Sequence, residues 1–226
     1  MPGLFITGTN TGVGKTHIAA MIARSLVMQG CRVGVYKPVE SGCPLEGNGL
    51  VAEDARHLWN AAGRPGELHR VCPQRFSQPL APPLAAIAEG KRVDSQLLRT
   101  GLDYWLQECD VVLIEGAGGL MSPISDDDYN ADLAADLGFP LLVVSSNELG
   151  TINATLQTLI TASAVAPELP IAGLVLSQTA PRADDPSIET NAAEIAAHCN
   201  VPLLANVAYH QRELAAEIDW LALANC

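Results

Sequence analysis

The stretch Gly8-Thr-Asn-Thr-Gly-Val-Gly-Lys-Thr16 sets a lysine and a hydroxyl directly behind closely spaced glycines. Glycines let the backbone turn successive N–H groups inward, a concavity suited to phosphate oxygens, and a helix starting there adds its positive end. Lys15 can then reach the outer phosphates of a nucleoside triphosphate, and the Thr16 hydroxyl can sit on Mg²⁺. The general pattern asks for Gly where Thr9 stands; Gly8 lies one place earlier, and the G-V-G-K-T core is kept. A dinucleotide site is disfavoured, because the next apolar run ends in Tyr36-Lys37 where an acidic residue would hold a ribose.

A Mg²⁺ on such a loop needs oxygen donors beyond Thr16, and in a parallel sheet these come from the carboxyl ends of neighbouring strands. Val111-Val-Leu-Ile-Glu-Gly-Ala-Gly-Gly119 ends an apolar run in Glu115, with small residues behind it that let backbone approach a ligand. Asp54 is the second candidate; taken alone it reads as an ordinary helix-start carboxylate. Lys37 closes the run in Val35-Tyr-Lys-Pro-Val-Glu-Ser-Gly42, where Pro38 takes the chain out of regular pairing. Two cations, Lys15 and Lys37, around one phosphoryl site would stabilise charge spread over a transferring group, whereas an isolated strand-end lysine would simply be solvated.

The elements that must position these residues follow from periodicity. Short β-branched apolar runs predict strands at Leu4–Thr7, Arg32–Tyr36, Val111–Glu115, Leu141–Ser145, Ile171–Leu176 and Leu203–Val207. Between them, Thr16–Met28 puts Ile18, Ile22 and Leu26 on one helical face, and Ser95–Glu108 does the same with Leu98, Leu102, Trp105 and Leu106. Gly42–Pro83 reads as loop around one helix at Ala52–Ala62, a long irregular stretch of the kind that shapes a pocket. Thr179–Pro186 reads as a polar loop and Glu213–Leu223 as a closing amphipathic helix. Strands alternating with helices predict a three-layer α/β fold, a mainly parallel central sheet flanked by helices, as one domain over residues 1–226.

Composition bounds the partners. A formal net charge of −12 with only 13 Lys and Arg argues against nucleic acid, so any polyanion must be met by locally placed lysines. The six cysteines show no C-x-x-C spacing and predict neither a zinc site nor a disulfide framework. The amino end lacks a basic start and a long apolar run, and no stretch reaches the roughly 20 apolar residues of a membrane span. A cytoplasmic enzyme with no membrane partner is expected.

Taken together, G-T-N-T-G-V-G-K-T at 8–16, Y-K-P-V-E-S-G at 36–42, Asp54, V-L-I-E-G-A-G-G at 112–119 and L-G-T-I-N at 149–153 resemble the dethiobiotin synthetase family over most of the chain. The resemblance implies a P-loop NTPase fold and a homodimer that turns 7,8-diaminopelargonic acid, CO₂ or bicarbonate and ATP into dethiobiotin, ADP and phosphate with Mg²⁺. It implies that Lys37 is catalytic, steadying the carbamate and the incoming phosphoryl, with Lys15 neutralising charge and Thr11 near the carbamate. Ser41 would hydrogen-bond the substrate, and Thr16, Asp54 and Glu115 carry over to Mg²⁺. The nucleotide falls to Gly12, Val13, Gly14, Lys15, Thr16 and His17; Gly116, Ala117 and Gly118 lie along it or along the reacting end of the substrate. Gly150, Thr151, Ile152 and Asn153 open a helix whose N–H groups would hold the substrate's distant carboxylate, across the dimer interface.

The chain departs from the family pattern at named positions. Asn10 stands where Asp is usual, Glu148 where a basic residue often precedes L-G, and Ala154 where His commonly follows the Asn. Ser177 stands where the family places an Asn that reads adenine; Ser177 and Gln178, with Ala208, Tyr209 and His210, serve either base recognition or packing. Two rival readings remain: a partition or cell-division switch ATPase, which carries an extra early lysine where Thr9 and Asn10 stand here, and an amidotransferase-type synthase, which needs a further glutaminase domain.

Overall fold

A computed structural model describes residues 1–47, 49–181, 184–214 and 218–225 of the chain. Its main sheet has six parallel strands: β1 (Gly3–Gly8), β2 (Val33–Tyr36), β3 (Val111–Glu115), β4 (Leu141–Ser146), β5 (Ile171–Ser177) and β6 (Leu203–Val207). The strand order is β6-β5-β4-β1-β3-β2. The chain therefore passes from β1 outward to one side and later returns to the other. Such a reversal opens a crevice at the carboxyl ends of the strands, where ligands of open α/β sheets bind.

Burial explains why these strands read as continuous apolar runs. Every residue of β1, β2, β3 and β4 is buried, as expected of strands covered on both faces; β5 opens only at Ile171, and the edge strand β6 is partly open along most of its length. The helix Lys15–Met28 buries Ile18, Ile22 and Leu26 against this sheet, the face its periodicity predicts. Gly8 pairs with Val144 and Ile6 with Glu115, so the register brings the end of β1 level with the end of β3.

Three expected elements differ. The predicted helix Ser95–Glu108 is two shorter helices, Ser95–Thr100 and Asp103–Glu108. The Tyr36 hydroxyl from β2 donates to the carbonyls of Leu97 and Leu98 at 2.9 and 3.1 Å, and a side chain at Gly101 would collide with that hydroxyl. The interruption shifts the helical phase, and Leu106, expected on the buried face, is exposed.

Gly42–Pro83 is more ordered than its composition suggests. Beside the helix Glu53–Ala61 it holds the strand pair Leu45–Glu46 with Gly49–Leu50 and the helix Leu68–Val71, its Gln74–Arg75 pairs with Val39–Glu40 just before it, and at its end the helix Pro82–Ala88 begins. The backbone N–H of Lys37 donates to the Val71 carbonyl at 2.8 Å and that of Gly42 to Gln78 at 3.0 Å, which lays this stretch along the crevice. The predicted closing helix is shorter as well: it spans Trp220–Leu223, Glu213 and Leu214 are not helical, and residues 215–217 lie outside the described residues. Residues 182–183 of the predicted 179–186 loop are likewise outside them.

Candidate active site

Gly12 and Gly14 adopt positive φ angles, 77° and 98°, which L side chains rarely take, and they curl the chain between β1 and its helix. Gly14 is the N-cap, and no side chain caps this helix start. Its first N–H groups are therefore left for an external acceptor, the usual arrangement at a phosphate site. Inside the curl, the Thr11 N–H donates to Asn10 Oδ1 at 2.8 Å, and Lys15 Nζ donates to the Asn10 carbonyl at 3.2 Å. Burial lowers the Lys15 pKa to about 8, with Lys37 adding to the fall and Glu115 and Asp54 opposing it.

The carboxylate of Glu115 is the centre of the cluster. Its Oε1 accepts from Lys37 Nζ at 2.6 Å and from Thr16 Oγ1 at 2.9 Å, joining three separate segments of the chain. Lys37 Nζ also lies 3.2 Å from Asp54 Oδ2. Lys37 and Glu115 are both buried, and Asp54 is half exposed. Burial alone would depress the Lys37 ammonium, but Glu115, Asp54 and Glu40 outweigh it and hold its pKa above the ordinary lysine value. Burial likewise works against the Asp54 carboxylate, yet the Lys37 ammonium beside it, helped by Lys15, keeps it below the usual range.

Among the described residues, no group of three or more His, Cys, Asp or Glu could hold a metal ion. A magnesium ion does not require one, since it is bound through one or two carboxylates together with phosphates and water. The residues present fit it: Glu115 Oε2 is buried without a hydrogen-bond partner, on the carboxylate that already touches the P-loop hydroxyl.

Behind Glu115 the Gly116–Gly119 turn packs on the P-loop. The Leu120 N–H donates to the Gly8 carbonyl at 3.2 Å, and a side chain at Gly119 would meet the backbone oxygens of Gly8 and Thr9. Gly118, at a φ of 82°, faces Thr11 Oγ1. The turn is held by Asn130, fully buried, whose Oδ1 accepts from the Ala117 N–H at 2.9 Å. Its Nδ2 faces the carbonyls of Ala117, Gly119 and Ser122 at 2.7, 3.0 and 3.0 Å.

The remaining predicted residues lie on other elements. Ser177, at the end of β5, is buried against Gly14, with its Oγ unpartnered. Gln178 Oε1 accepts from the Tyr209 N–H at 3.3 Å, the Tyr209 and His210 rings lie 3.8 Å apart, and the Ala208 N–H donates to Gln211. His17 Nε2 lies 2.8 Å from the Gln211 carbonyl, so that loop touches the first turn of the P-loop helix. Ser41 turns to the Leu80 carbonyl at 2.6 Å. Gly150 caps the helix Thr151–Val165 at a φ of 98°; hydroxyls link this helix start to the P-loop, Thr151 to Ser145 at 2.8 Å and Ser145 to Thr9 at 3.0 Å. Ile152 and Asn153 follow in its first turn.

The cluster thus unites Lys15, Thr16, Lys37, Asp54 and Glu115, while Thr11 is exposed on the P-loop and Ser41 and Gly150–Asn153 stand apart from the cluster. Sequence reasoning missed Glu40 and Asn130. Glu40 lies within residues 36–42, an acid three residues beyond Lys37. Asn130 carried no signal at all.

A sheet of this order, with a lysine and threonine behind a glycine curl at the end of β1, defines a P-loop α/β nucleotide-binding enzyme. A family model described as an AAA domain matches residues 2–216. The ATP-dependent dethiobiotin synthetase BioD of Rhodopirellula baltica is 45% identical over 214 residues, covering 90% of this chain and 82% of that protein. The protein of the same name from Anaeromyxobacter dehalogenans strain 2CP-C is 43% identical over 197 residues, 87% and 85% of the two chains. The chain belongs to the ATP-dependent dethiobiotin synthetase family and is an ATP-dependent ligase. Solved structures share the fold alone: MinC:MinD of Aquifex aeolicus at a TM-score of 0.56, 12% identical, over 94% of this chain and 83% of that one. Chloroplast FtsY of Physcomitrella patens gives 0.51 at 18% identity, over 99% and 64%. The switch-ATPase reading is not favoured.

Proposed function

We propose that the chain acts, as one domain, on 7,8-diaminopelargonic acid, CO₂ and ATP and closes the cyclic urea of dethiobiotin. One amine attacks CO₂ and loses a proton, giving a carbamate. The carbamate oxygen takes the γ-phosphoryl, releasing ADP, and the second amine attacks the carbamoyl carbon and expels phosphate. Each step builds or moves negative charge on oxygen, so the protein's task is to hold the reacting groups close and to neutralise that charge.

Lys37 steadies the carbamate and the phosphoryl it receives, Lys15 the transferring oxygens, and Thr11 faces the carbamate. Gly12–His17, with Asp54 and Glu115–Gly118, wrap the nucleotide, and Ser177, Gln178 and Ala208–His210 lie toward the base. Thr16, Asp54 and Glu115 would hold Mg²⁺, which would offset the negative charge of the phosphates. Ser41 and the N–H groups of Gly150–Asn153 take the rest of the substrate. The protein works in the cytoplasm and as a homodimer, the pairing supported by the exposure of Leu149 (82%) and Ile160 (69%) beside and along the helix Thr151–Val165.

The observation that carries this reading is the meeting of Lys37 and Thr16 on one oxygen of Glu115. The test mixes protein, MgATP, bicarbonate and 7,8-diaminopelargonate and follows phosphate release and product mass. Diamine-dependent phosphate with the mass of dethiobiotin is expected. Phosphate release indifferent to the diamine would overturn the substrate assignment and leave the nucleotide site standing.

A further inference from the structure

Resting on the reading of Asp54 as a magnesium-holding carboxylate, we infer that Glu40 is a positioning residue that fixes Asp54 against Lys37. The helix Glu53–Ala61 starts from Ala52, which has no side chain able to cap it. An alanine N-cap leaves first-turn N–H groups without acceptors, and a competent cap is normally local. Here the acceptor arrives from a distant segment: Glu40 Oε1 takes the Asp54 N–H and Oε2 the Ala55 N–H, both at 3.1 Å. With one oxygen on each amide, the carboxylate sets the direction of the helix start as well as its distance.

Glu40 is itself firmly placed. It is buried, pairs with Arg75 in the short parallel strand, and accepts the Phe76 N–H on its carbonyl at 3.0 Å. The segment 37–40 therefore grips Asp54 twice, by its amide through Glu40 and by its carboxylate through Lys37 at 3.2 Å. Asp54 needs this grip, because its side chain is half exposed and would otherwise sample several rotamers. Glu115, by contrast, is immobilised by burial and by Thr16 and Lys37.

The test uses the full-length chain and Glu40→Gln, which keeps the length and one accepting oxygen but turns an amide donor toward a backbone N–H. ADP is titrated calorimetrically with Mg²⁺ and again with EDTA, and the ratio of the two Kd values measures magnesium coupling. The expected result is a roughly tenfold loss of coupling, the scale on which a partner orienting a metal-holding carboxylate acts. ADP affinity in EDTA is unaffected. Because Glu40 acts through Asp54, adding Glu40→Gln to Asp54→Asn should cause no further loss of coupling. Wild-type coupling in Glu40→Gln, with only a lowered melting temperature, would reduce Glu40 to a helix cap and overturn the inference. Wild-type coupling in Asp54→Asn would instead overturn the magnesium reading of Asp54, and the inference with it. Should Glu40→Gln alone not fold, adding Ala52→Ser supplies a local cap and the same ratio is read.

Discussion

Replacing Gly116 by alanine should damage the protein through one atom, and removing that atom elsewhere should repair part of the damage. A Cβ built on Gly116 falls 2.5 Å from Asn130 Oδ1, 3.2 Å from its Cγ and 3.3 Å from Phe5 Cε1. The first distance is inside van der Waals contact and Asn130 cannot retreat, because its amide is held by the carbonyls of Ala117, Gly119 and Ser122. Overpacking of this kind costs about 1–3 kcal/mol. Asn130→Ala strands the partly buried Ala117 N–H and those carbonyls, at a cost of about 1–3 kcal/mol. In the double variant the space left by the amide accepts the new methyl group, so the combined loss should fall short of the sum by about 1–2 kcal/mol. Urea unfolding of the four proteins at one protomer concentration measures this coupling, and both single variants should turn over more slowly because the turn behind Glu115 shifts. Additivity within about 0.5 kcal/mol would refute the claim that Gly116 is glycine on account of Asn130.

Lys37→Met should lower turnover about 10²-fold or more, as for loss of a charge-stabilising group. It should also destabilise the nucleotide-free protein by about 3–5 kcal/mol, read by urea unfolding, because buried Glu115 loses its ionic partner. Gly14→Ala should abolish tight ADP binding measured calorimetrically, since the left-handed backbone at this position strains any residue with a Cβ, and the new Cβ meets Ser177 Oγ at 2.5 Å; Ser177→Gly should restore only part of it. Lys15 folds with a pKa of about 8, below the ordinary 10.5, so the unfolded chain binds more protons between those values and stability should rise with pH across that window. The contribution is complete above 10.5 and absent below 8; Lys37, shifted upward, has the opposite sign and acts only above 10.5. Phosphates beside Lys15 should restore its proton, so ATP binding above pH 8 should take up protons, measured by calorimetry in buffers of different ionisation enthalpy.

Much of this protein was legible along the chain. The six strands of the main sheet lie within two residues of where β-branched runs predict them, because a strand buried on both faces needs no partner's identity to be apolar. The glycine curl, Lys15 and Thr16 were equally plain, since a phosphate cradle is built by consecutive backbone. Lys37 and Glu115 could be named because strand ends on one side of a parallel sheet must converge, whatever the details of packing. Tertiary structure alone decided the rest: that Tyr36 splits the helix predicted over Ser95–Glu108, that Ser177 lies under Gly14, and that Asn130 dictates Gly116. It also decided that an alanine-started helix borrows its cap from Glu40. In each case the partners lie on different elements, and a local pattern records that a residue is polar or small without recording which distant atom it meets.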